Sequence, residues 1–150
     1  MSKGEELIEA LIHTARLCRT LRSELLLKHG LYVGQDTLLR CLDEEDGRSM
    51  GTLAGLLRVR PPTVTKMVTR MSAQGFIGRK TNPIDSRQSN VFITEKGAKV
   101  MKKIDKAWRK TEKTSLFNVG KKRKKELAKS FQQISENIQD HQSGNANLEV

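Results

Sequence analysis

Two short helices separated by only three residues constrain the fold of this chain more than any other feature. Ser49 is a typical N-cap for the apolar stretch that follows it, and Pro61 suits the first position of a helix, where the missing N–H has no partner to lose. The second helix carries an apolar face at helical spacing and ends at Gly75. That face consists of Val64, Met67, Val68 and Met71. The pattern predicts a helix-turn-helix unit with its turn at 58–60.

After Gly75 the spacing of apolar residues changes to that of β-strands. Residues 76–81 and 90–94 read as two strands, and the connection NPIDSRQS between them holds the residue types that turns select. A helix-turn-helix unit followed directly by a β-hairpin is a winged helix. We therefore predict a winged helix-turn-helix lobe over 33–98 with a two-stranded β-wing.

Two further helices are predicted before the helix-turn-helix unit. From Glu5 to about Lys28, apolar residues recur every three or four positions, which indicates a long amphipathic helix that ends at Gly30. A shorter helix over 35–42 is expected to stop in an acidic turn at 43–47.

Two further helices follow the hairpin. Thr94 is an N-cap candidate for the first, and a break at 118–120 separates it from a last helix over 121–142. The apolar face of the first carries Val100, Met101, Ile104, Ala107 and Trp108. The apolar residues of the second step by four, three and four, which is typical of a seam between paired helices. They are Leu127, Phe131, Ile134 and Ile138.

This last helix has little core left to cover at the end of a small domain. We therefore expect its seam to form a dimer interface, together with Leu7 and Leu11 of the N-terminal helix. Packing within one chain is the alternative. The predicted fold is mainly α (α+β), a winged helix-turn-helix lobe flanked by dimerisation helices. The expected boundaries are an N-terminal dimerisation helix over 1–32, the lobe over 33–98, C-terminal dimerisation helices over 99–142 and a flexible polar tail over 143–150.

The chain has 150 residues and a formal net charge of +11, which is distributed unevenly. Residues 1–57 hold seven basic and nine acidic side chains, 58–98 hold eight and two, and 99–150 hold thirteen and six. No acid occurs between Arg58 and Lys80, where it would repel a phosphate. This balance implies an anionic partner. Double-stranded DNA is favoured over a membrane, since no apolar run is long enough to span one. The alternative is an ordinary solvated basic surface.

Two stretches of the chain resemble the MarR-type winged-helix transcriptional regulators. They are LAGLLRVRPPTVTKMVTRMSAQGFIGRK and, at the spacing of that family's wing, DSRQSNVFITEKG. The resemblance extends from Leu31 to about Ile104, half of the chain. It implies a homodimer whose terminal helices interlock and whose two lobes read a pseudo-palindrome.

The resemblance also implies a set of DNA-binding residues. The second helix of the unit would be the recognition helix, Arg87 would reach the minor groove or its phosphates, and Asp85 would pair with basic groups at the base of the wing. For Asp85, a role in the turn alone is the alternative. The expected DNA-binding residues are Arg60, Pro62, Thr63, Thr65, Lys66, Thr69, Arg70, Arg79, Asp85 and Arg87. The basic run 121–125 is either a second phosphate contact or a solvated face.

Regulators of this type often release DNA when they bind small lipophilic or anionic effectors, or when a cysteine is oxidised. Cys18 and Tyr32 are the residues that we place in an effector pocket. Cys18 and Cys41 are expected to be buried, small apolar side chains, although the arginines around Cys18 could favour a thiolate.

The sequence lacks the motifs of an enzyme or a metalloprotein. We find no Gly-rich phosphate loop, no nucleophile elbow and no Cys/His spacing that suits zinc, so no cofactor and no metal are expected. The N-terminal residues do not have the order of a signal peptide, and we expect a cytoplasmic protein.

The function that these patterns predict is sequence-specific regulation of transcription by a homodimer, most simply as a repressor. One alternative is a winged-helix protein that binds DNA or RNA without sequence preference. Another is an interaction module whose basic face binds an acidic protein.

Overall fold

The computed structural model describes residues 1–144, and the mainly α fold that the sequence predicts is confirmed. The elements within this range are α1 (Lys3–Leu27), α2 (Gln35–Glu44), β1 (Arg48–Ser49), α3 (Met50–Leu57), α4 (Pro61–Ala73), β2 (Ile77–Thr81), β3 (Ser89–Ile93), α5 (Glu95–Ser115) and α6 (Lys121–Gln142). The chain forms two compact units, Met1–Glu112 and a second one that begins at Lys113.

The predicted two-stranded wing is confirmed as the β2–β3 hairpin, and a third strand, β1, joins it in one antiparallel sheet. Its order is β1-β3-β2, with Ile77 opposite Ile93 at the open end of the β2–β3 hairpin and Arg48 opposite Val91 in the β1–β3 pair. The sequence did not predict β1 because a strand of two residues is too short to show alternation. The predicted second helix is confirmed: α2 begins at Gln35 and ends at Glu44, within the acidic stretch 43–47 where it was expected to stop.

Local caps set the ends of the helices in the lobe. Ser49 Oγ accepts a hydrogen bond from Thr52 N at 3.1 Å, which confirms the predicted N-cap of α3. Thr94 Oγ1 accepts one from Gly97 N at 3.1 Å and so caps α5, while its hydroxyl donates to the carbonyl oxygen of Gly75. Gly75 has a φ of +81°, so the chain can turn sharply from α4 into β2.

One hydrophobic core holds the lobe together. α4 contributes the fully buried Val64, Val68 and Met71, and it packs on side chains from α2, α3, β3 and α5. Those fully buried partners include Leu38, Leu39, Leu53, Val91 and Ile104. The apolar faces predicted for α4 and α5 are therefore confirmed, and the core fixes which side of α4 points to solvent.

The terminal helices expose their apolar residues. Leu7 of α1 is 63% exposed and Leu11 is half-buried, and α1 buries only Leu26 completely. No residue of α6 is buried, and Phe131 and Ile138 are among its exposed apolar side chains. Among residues 1–144, no helix combines the length and the apolar character that crossing a membrane requires.

The last helix, α6, has the bounds that the sequence predicts and ends at Gln142. Ser143 is its C-cap, and the Ser143 hydroxyl donates to the carbonyl oxygens of Gln139 and Asp140. From 145 onward the predicted tail lies outside the described residues.

Candidate nucleic-acid interface

The outward face of α4, together with its N-cap Arg60, is a continuous exposed polar surface. Because Val64, Val68 and Met71 anchor the opposite face in the core, every predicted DNA-binding residue of this helix is exposed. These residues are Arg60, Pro62, Thr63, Thr65, Lys66, Thr69 and Arg70. The Thr65 hydroxyl donates to Pro61 O at 3.1 Å, so this oxygen can only accept a hydrogen bond from a ligand.

The wing adds further cations beside this helix. Arg79 on β2 and Arg87 in the loop are exposed, and the loop between β2 and β3 is braced by its own side chains. Asn82 Oδ1 accepts hydrogen bonds from the backbone N–H groups of Ile84 at 2.9 Å and Asp85 at 3.3 Å. These bonds limit the conformations of the segment that carries Arg87.

Asp85 serves the turn of the wing. Its Oδ1 accepts a hydrogen bond from Arg87 N at 3.0 Å, which is the Asx-turn interaction that we gave as the alternative to an ion pair. In the described range the ion pairs are Arg22–Asp36, Arg48–Glu45 and Lys99–Glu95, so Asp85 does not make the expected pair. A turn of this kind still directs the Arg87 backbone.

The same ion-pair pattern leaves the cations of this surface available to a ligand. Arg60, Lys66, Arg70, Arg79 and Arg87 are exposed, and none of them pairs with an acid in residues 1–144. Cations that are not neutralised by the protein attract a polyanion and release its counterions on binding. The arrangement therefore has the chemistry of a phosphate-binding surface centred on one exposed helix.

A segment that includes this surface matches a known family. Residues 31–89 match the model described as the MarR family. Residues 31–89 thus form a segment that is similar to the MarR family. An HTH-type transcriptional regulator of Mycobacterium tuberculosis is 36% identical over 75 residues, which are 50% of this chain and 52% of that protein. The uncharacterized HTH-type transcriptional regulator YwoH of Bacillus subtilis is 28% identical over 102 residues, 68% of this chain and 74% of that protein.

The match to the first of these relatives thus spans about half of that protein's length. Both relatives are named transcriptional regulators, and neither name denotes an enzyme. Among solved structures, a MarR transcriptional regulator from Methanosarcina mazei has a TM-score of 0.82 at 22% identity, covering 91% of this chain and 98% of that one. The PcaV transcriptional regulator from Streptomyces coelicolor, solved with its natural ligand, has a TM-score of 0.74 at 17% identity, covering 84% and 92%. At such identities these two likenesses establish the fold.

The two residues predicted for an effector pocket, Cys18 and Tyr32, do not line either of two grooves in the lobe. Cys18 is half-buried on α1, and Tyr32 is 51% exposed in the loop after α1. A groove of about 450 Å³ is lined instead by His29, Gly30, Gln74, Phe76, Lys96, Lys99, Val100 and Lys103. Another of about 320 Å³ is lined by Thr37, Arg40, Cys41, Glu44, Leu56, Leu57 and Trp108. The predicted pocket residues line neither of these grooves.

Tyr32 has a neighbour that the sequence did not indicate. The guanidinium carbon of Arg70 lies 5.6 Å from the centroid of the Tyr32 ring, within the range of a cation–π interaction. The structure therefore places Tyr32 beside Arg70 on the exposed face of α4. No local sequence signal could have shown this contact, because the two residues are far apart along the chain.

The second groove contains one of the two thiols. Burial and the neighbouring Glu44 raise the pKa of Cys41, and Arg48 opposes that effect. Raising the pKa lowers the thiolate fraction, which is the form that peroxide attacks. Cys41 is half-buried rather than buried as expected, and its raised pKa does not favour the role of a redox sensor.

A buried carboxylate near this groove was missed by the sequence reasoning. Asp36 is fully buried; its Oδ2 accepts a hydrogen bond from Trp108 Nε1 at 2.9 Å and lies 3.3 Å from Arg22 Nε. The guanidinium groups of Arg22 and Arg40 lie 4.8 and 4.3 Å from the Trp108 ring centroid. This cluster joins α1, α2 and α5, so it holds the end of the N-terminal helix against the lobe.

Proposed function

We propose that this chain is a MarR-family, sequence-specific DNA-binding regulator of transcription that acts in the cytoplasm. The observation that carries the proposal is the exposed face of α4, whose cations and hydroxyls are free of acidic partners in the described chain. The names of the curated relatives support the same function.

Recognition would use α4 in the major groove, which admits one α-helix. Arg70 and Lys66 would donate to base edges or phosphates, and Thr65 would accept, since its own hydrogen is engaged. The wing would lie over the backbone, with Arg87 at the minor groove. Phosphate contacts fix the position of such a protein, and the base contacts of α4 supply the specificity.

We further propose that the regulator is a homodimer on a pseudo-palindromic operator. The support is an apolar stripe on each terminal helix that is not fully buried. Leu7, Phe131 and Ile138 are exposed, and Leu11, Leu127 and Ile134 are half-buried. In proteins, most of the stability of a helix comes from packing its apolar face against another surface. The apolar stripes of α1 and α6 therefore need a second surface to cover them. Two lobes would then contact half-sites about one helical turn apart, roughly 10 bp.

Repression follows most simply from this arrangement, because a dimer bound to an operator excludes polymerase from an overlapping promoter. A small lipophilic or anionic effector that releases the DNA belongs to the same proposal. The support for an effector is indirect: the fold neighbour PcaV was solved with its natural ligand. The two grooves of the lobe give such a molecule a place to bind.

A second candidate function is nucleic-acid binding without sequence preference. Exposed cations also cover α5 and the start of α6, where Lys121–Lys125 form a run without an acid in the first helical turn. On α5 the exposed cations include Lys102, Lys103, Lys106, Arg109 and Lys110. A protein that binds mainly through such residues would respond to backbone charge rather than to sequence.

Selection of bound sequences from a pool of random duplex DNA separates the two candidates. The proposed regulator should enrich one sequence with two-fold symmetry, and Arg70→Ala should weaken binding to it by about five- to a hundredfold while hardly affecting a shuffled duplex. Replacing the cations of 121–125 by alanine is the matched control. It should weaken both duplexes alike and flatten the salt dependence by about 0.9 for each lost phosphate contact. A pool that remains unenriched would contradict sequence-specific recognition.

The dimer is tested separately by sedimentation equilibrium of the full chain. The wild type should sediment as a dimer, and Phe131→Glu should shift it to the monomer because a charge would be buried in the seam. Lys129→Glu, on the same exposed helix, is the control for a change of charge outside the apolar stripe. A monomeric wild type would overturn the model of paired half-sites.

A further inference from the structure

The contact between Arg70 and Tyr32 distinguishes this arginine from the other cations of α4. Cation–π contacts in the described chain involve five cations, and Arg70 is the one among them that lies on α4. Lys66, one turn earlier on the same exposed face, has no aromatic ring beneath it in residues 1–144. The ring supports a single cation of the recognition helix.

A buried glutamine fixes the loop that carries Tyr32. Tyr32 N donates to Gln35 Oε1 at 3.1 Å, and Gln35 N donates back to Tyr32 O at 3.0 Å. Gln35 is only 3% exposed, so these bonds are shielded from competition by water. The position of the Tyr32 backbone is therefore set from inside the lobe, although its ring lies at the surface.

The same glutamine connects this loop to the end of α4. Gln35 Nε2 donates to Gln74 Oε1 at 3.1 Å, and Gln74 Nε2 donates to Gly30 O at 3.3 Å. Gln74 is the C-cap of α4, and its N–H donates to Arg70 O at 3.0 Å. A short chain of hydrogen bonds thus connects the backbone of Tyr32 to the backbone of Arg70, from which the ring and the guanidinium group extend.

A guanidinium held over an aromatic face by a cation–π contact keeps the N–H donors of its edge free. Those donors form the fork that matches two acceptors, as on the edge of a guanine or on a phosphate. An arginine without such a contact would lose more side-chain freedom on binding DNA, because the contact restricts part of that freedom beforehand.

We infer that Tyr32 is a positioning residue, which holds the Arg70 guanidinium ready for a sequence-specific contact with DNA. The inference rests on the proposed function, because it concerns the use of Arg70 by α4. It assigns to Tyr32 a role in reading DNA instead of the role in an effector pocket that the sequence suggested.

The test is a double-mutant cycle on the full chain. Its probes are the duplex that the wild type selects from random DNA and a shuffled duplex of the same composition. Tyr32→Ala should weaken binding to the selected duplex by about two- to fivefold, the value of an exposed cation–π contact, and hardly change binding to the shuffled one. In the Arg70→Ala background Tyr32→Ala should have no further effect. In the Arg87→Ala background its effect should persist, because Arg87 does not touch the ring.

Two further variants of Tyr32 separate the cation–π contact from other roles. Tyr32→Phe keeps the ring and should restore the wild-type preference, whereas Tyr32→Leu keeps the bulk without the aromatic face and should behave like Tyr32→Ala. Thermal unfolding should be alike for all three variants, since the side chain is half exposed.

Several outcomes would overturn the inference. They are an unchanged preference in Tyr32→Ala, an equal loss with and without Arg70, and a Tyr32→Phe variant as weak as Tyr32→Ala, which would indicate a direct contact by the hydroxyl. If the wild type prefers no sequence, the proposed function fails and the inference fails with it. If Arg70→Ala abolishes the preference and Tyr32→Ala leaves it intact, the proposed function stands and only the inference is wrong.

Discussion

α5 and α6 are two lysine-rich amphipathic helices of almost equal length that differ completely in burial. α5 has 21 residues and buries Gly97, Val100, Met101, Ile104 and Ala107, whereas α6 has 22 residues and buries none. An apolar stripe therefore predicts that a helix needs a covering surface, and it does not say whether the same chain supplies that surface. The winged-helix lobe closes its own core, while the terminal helices leave apolar side chains exposed.

The largest expected effect tests whether stability resides in the lobe. Leu39→Ala removes a fully buried side chain and should lower the free energy of unfolding by about 2–5 kcal/mol, because it leaves a cavity in a closed core. Leu127→Ala, on α6, makes the same chemical change at a half-buried position and is the control.

Chemical denaturation at several protein concentrations measures both variants. The loss in Leu39→Ala should not depend on concentration. Leu127→Ala should be close to the wild type when the protein is dilute and destabilised only where a dimer forms, since association stabilises by mass action. Equal losses at every concentration would mean that α6 packs within its own chain.

Sequence signals that act within a few residues predicted most of this fold. The serine cap at 49, the prolines at 61 and 62 and the glycine at 75 each determine the adjacent backbone, so α3, α4 and their turn were predictable. The elements that the sequence did not predict depend on contacts between residues that are far apart along the chain. β1 exists because Arg48 lies opposite Val91.

In the candidate site, too, features that depend on nearby residues were predictable, and contacts between distant residues were not. Its exposed cations follow from the helical period of α4, and the structure finds all of them exposed. The partners of particular side chains did not follow, because they come from other elements. Tyr32 contacts Arg70 across the lobe, and buried Asp36 contacts Trp108 of α5. The spacing of apolar and charged residues indicates which face of a helix is exposed. The contacts of each side chain depend on tertiary packing, which this spacing does not indicate.

The close approach of α5 to the wing gives the next largest effect. A methyl group at Gly97 would overlap the carbonyl oxygen of Phe76 and come within 2.8 Å of Ile93 Cγ1. Gly97→Ala should therefore cost about 1–3 kcal/mol or more, because backbone atoms cannot move aside as a flexible side chain can.

Gly55→Ala is the matched control for this variant. Gly55 lies within α3, and an added methyl group there would meet nothing within 4 Å, so the variant should gain about 0.5–1 kcal/mol. Thermal unfolding of the two variants should shift in opposite directions. A stable Gly97→Ala protein would show that α5 can separate from the wing without cost.

Helix capping provides a smaller effect that again separates the lobe from α6. Ser49→Ala removes the acceptor for Thr52 N and should cost about 1 kcal/mol of lobe stability, and Ser49→Asp should retain most of it. α6 begins after Gly120, which has an extended backbone and no side chain to cap the helix. Gly120→Ser should therefore add a few tenths of a kcal/mol to α6 and leave the lobe unchanged. Amide hydrogen exchange resolves the two helices, and a changed exchange rate in the lobe of Gly120→Ser would contradict the expectation that this cap stabilises α6 alone.

The smallest expected effect concerns the exposed start of α1. Ser2 N donates to Glu5 Oε2 and Glu5 N donates to Ser2 Oγ, which together form a capping box. Hydrogen bonding of the carboxyl to the backbone N–H of Ser2, and then to its side chain, holds the pKa of Glu5 below its ordinary value of 4.5. A lowered pKa means that the cap is fully formed above that value and is lost as the pH falls through the pKa of the folded state. The first turn of α1 should therefore fray on acidification, which NMR chemical shifts of residues 2–6 would detect. Glu5→Gln should remove this pH dependence, because an amide does not titrate in this range. Fraying of α1 in Glu5→Gln over the same pH interval would assign the transition to another group.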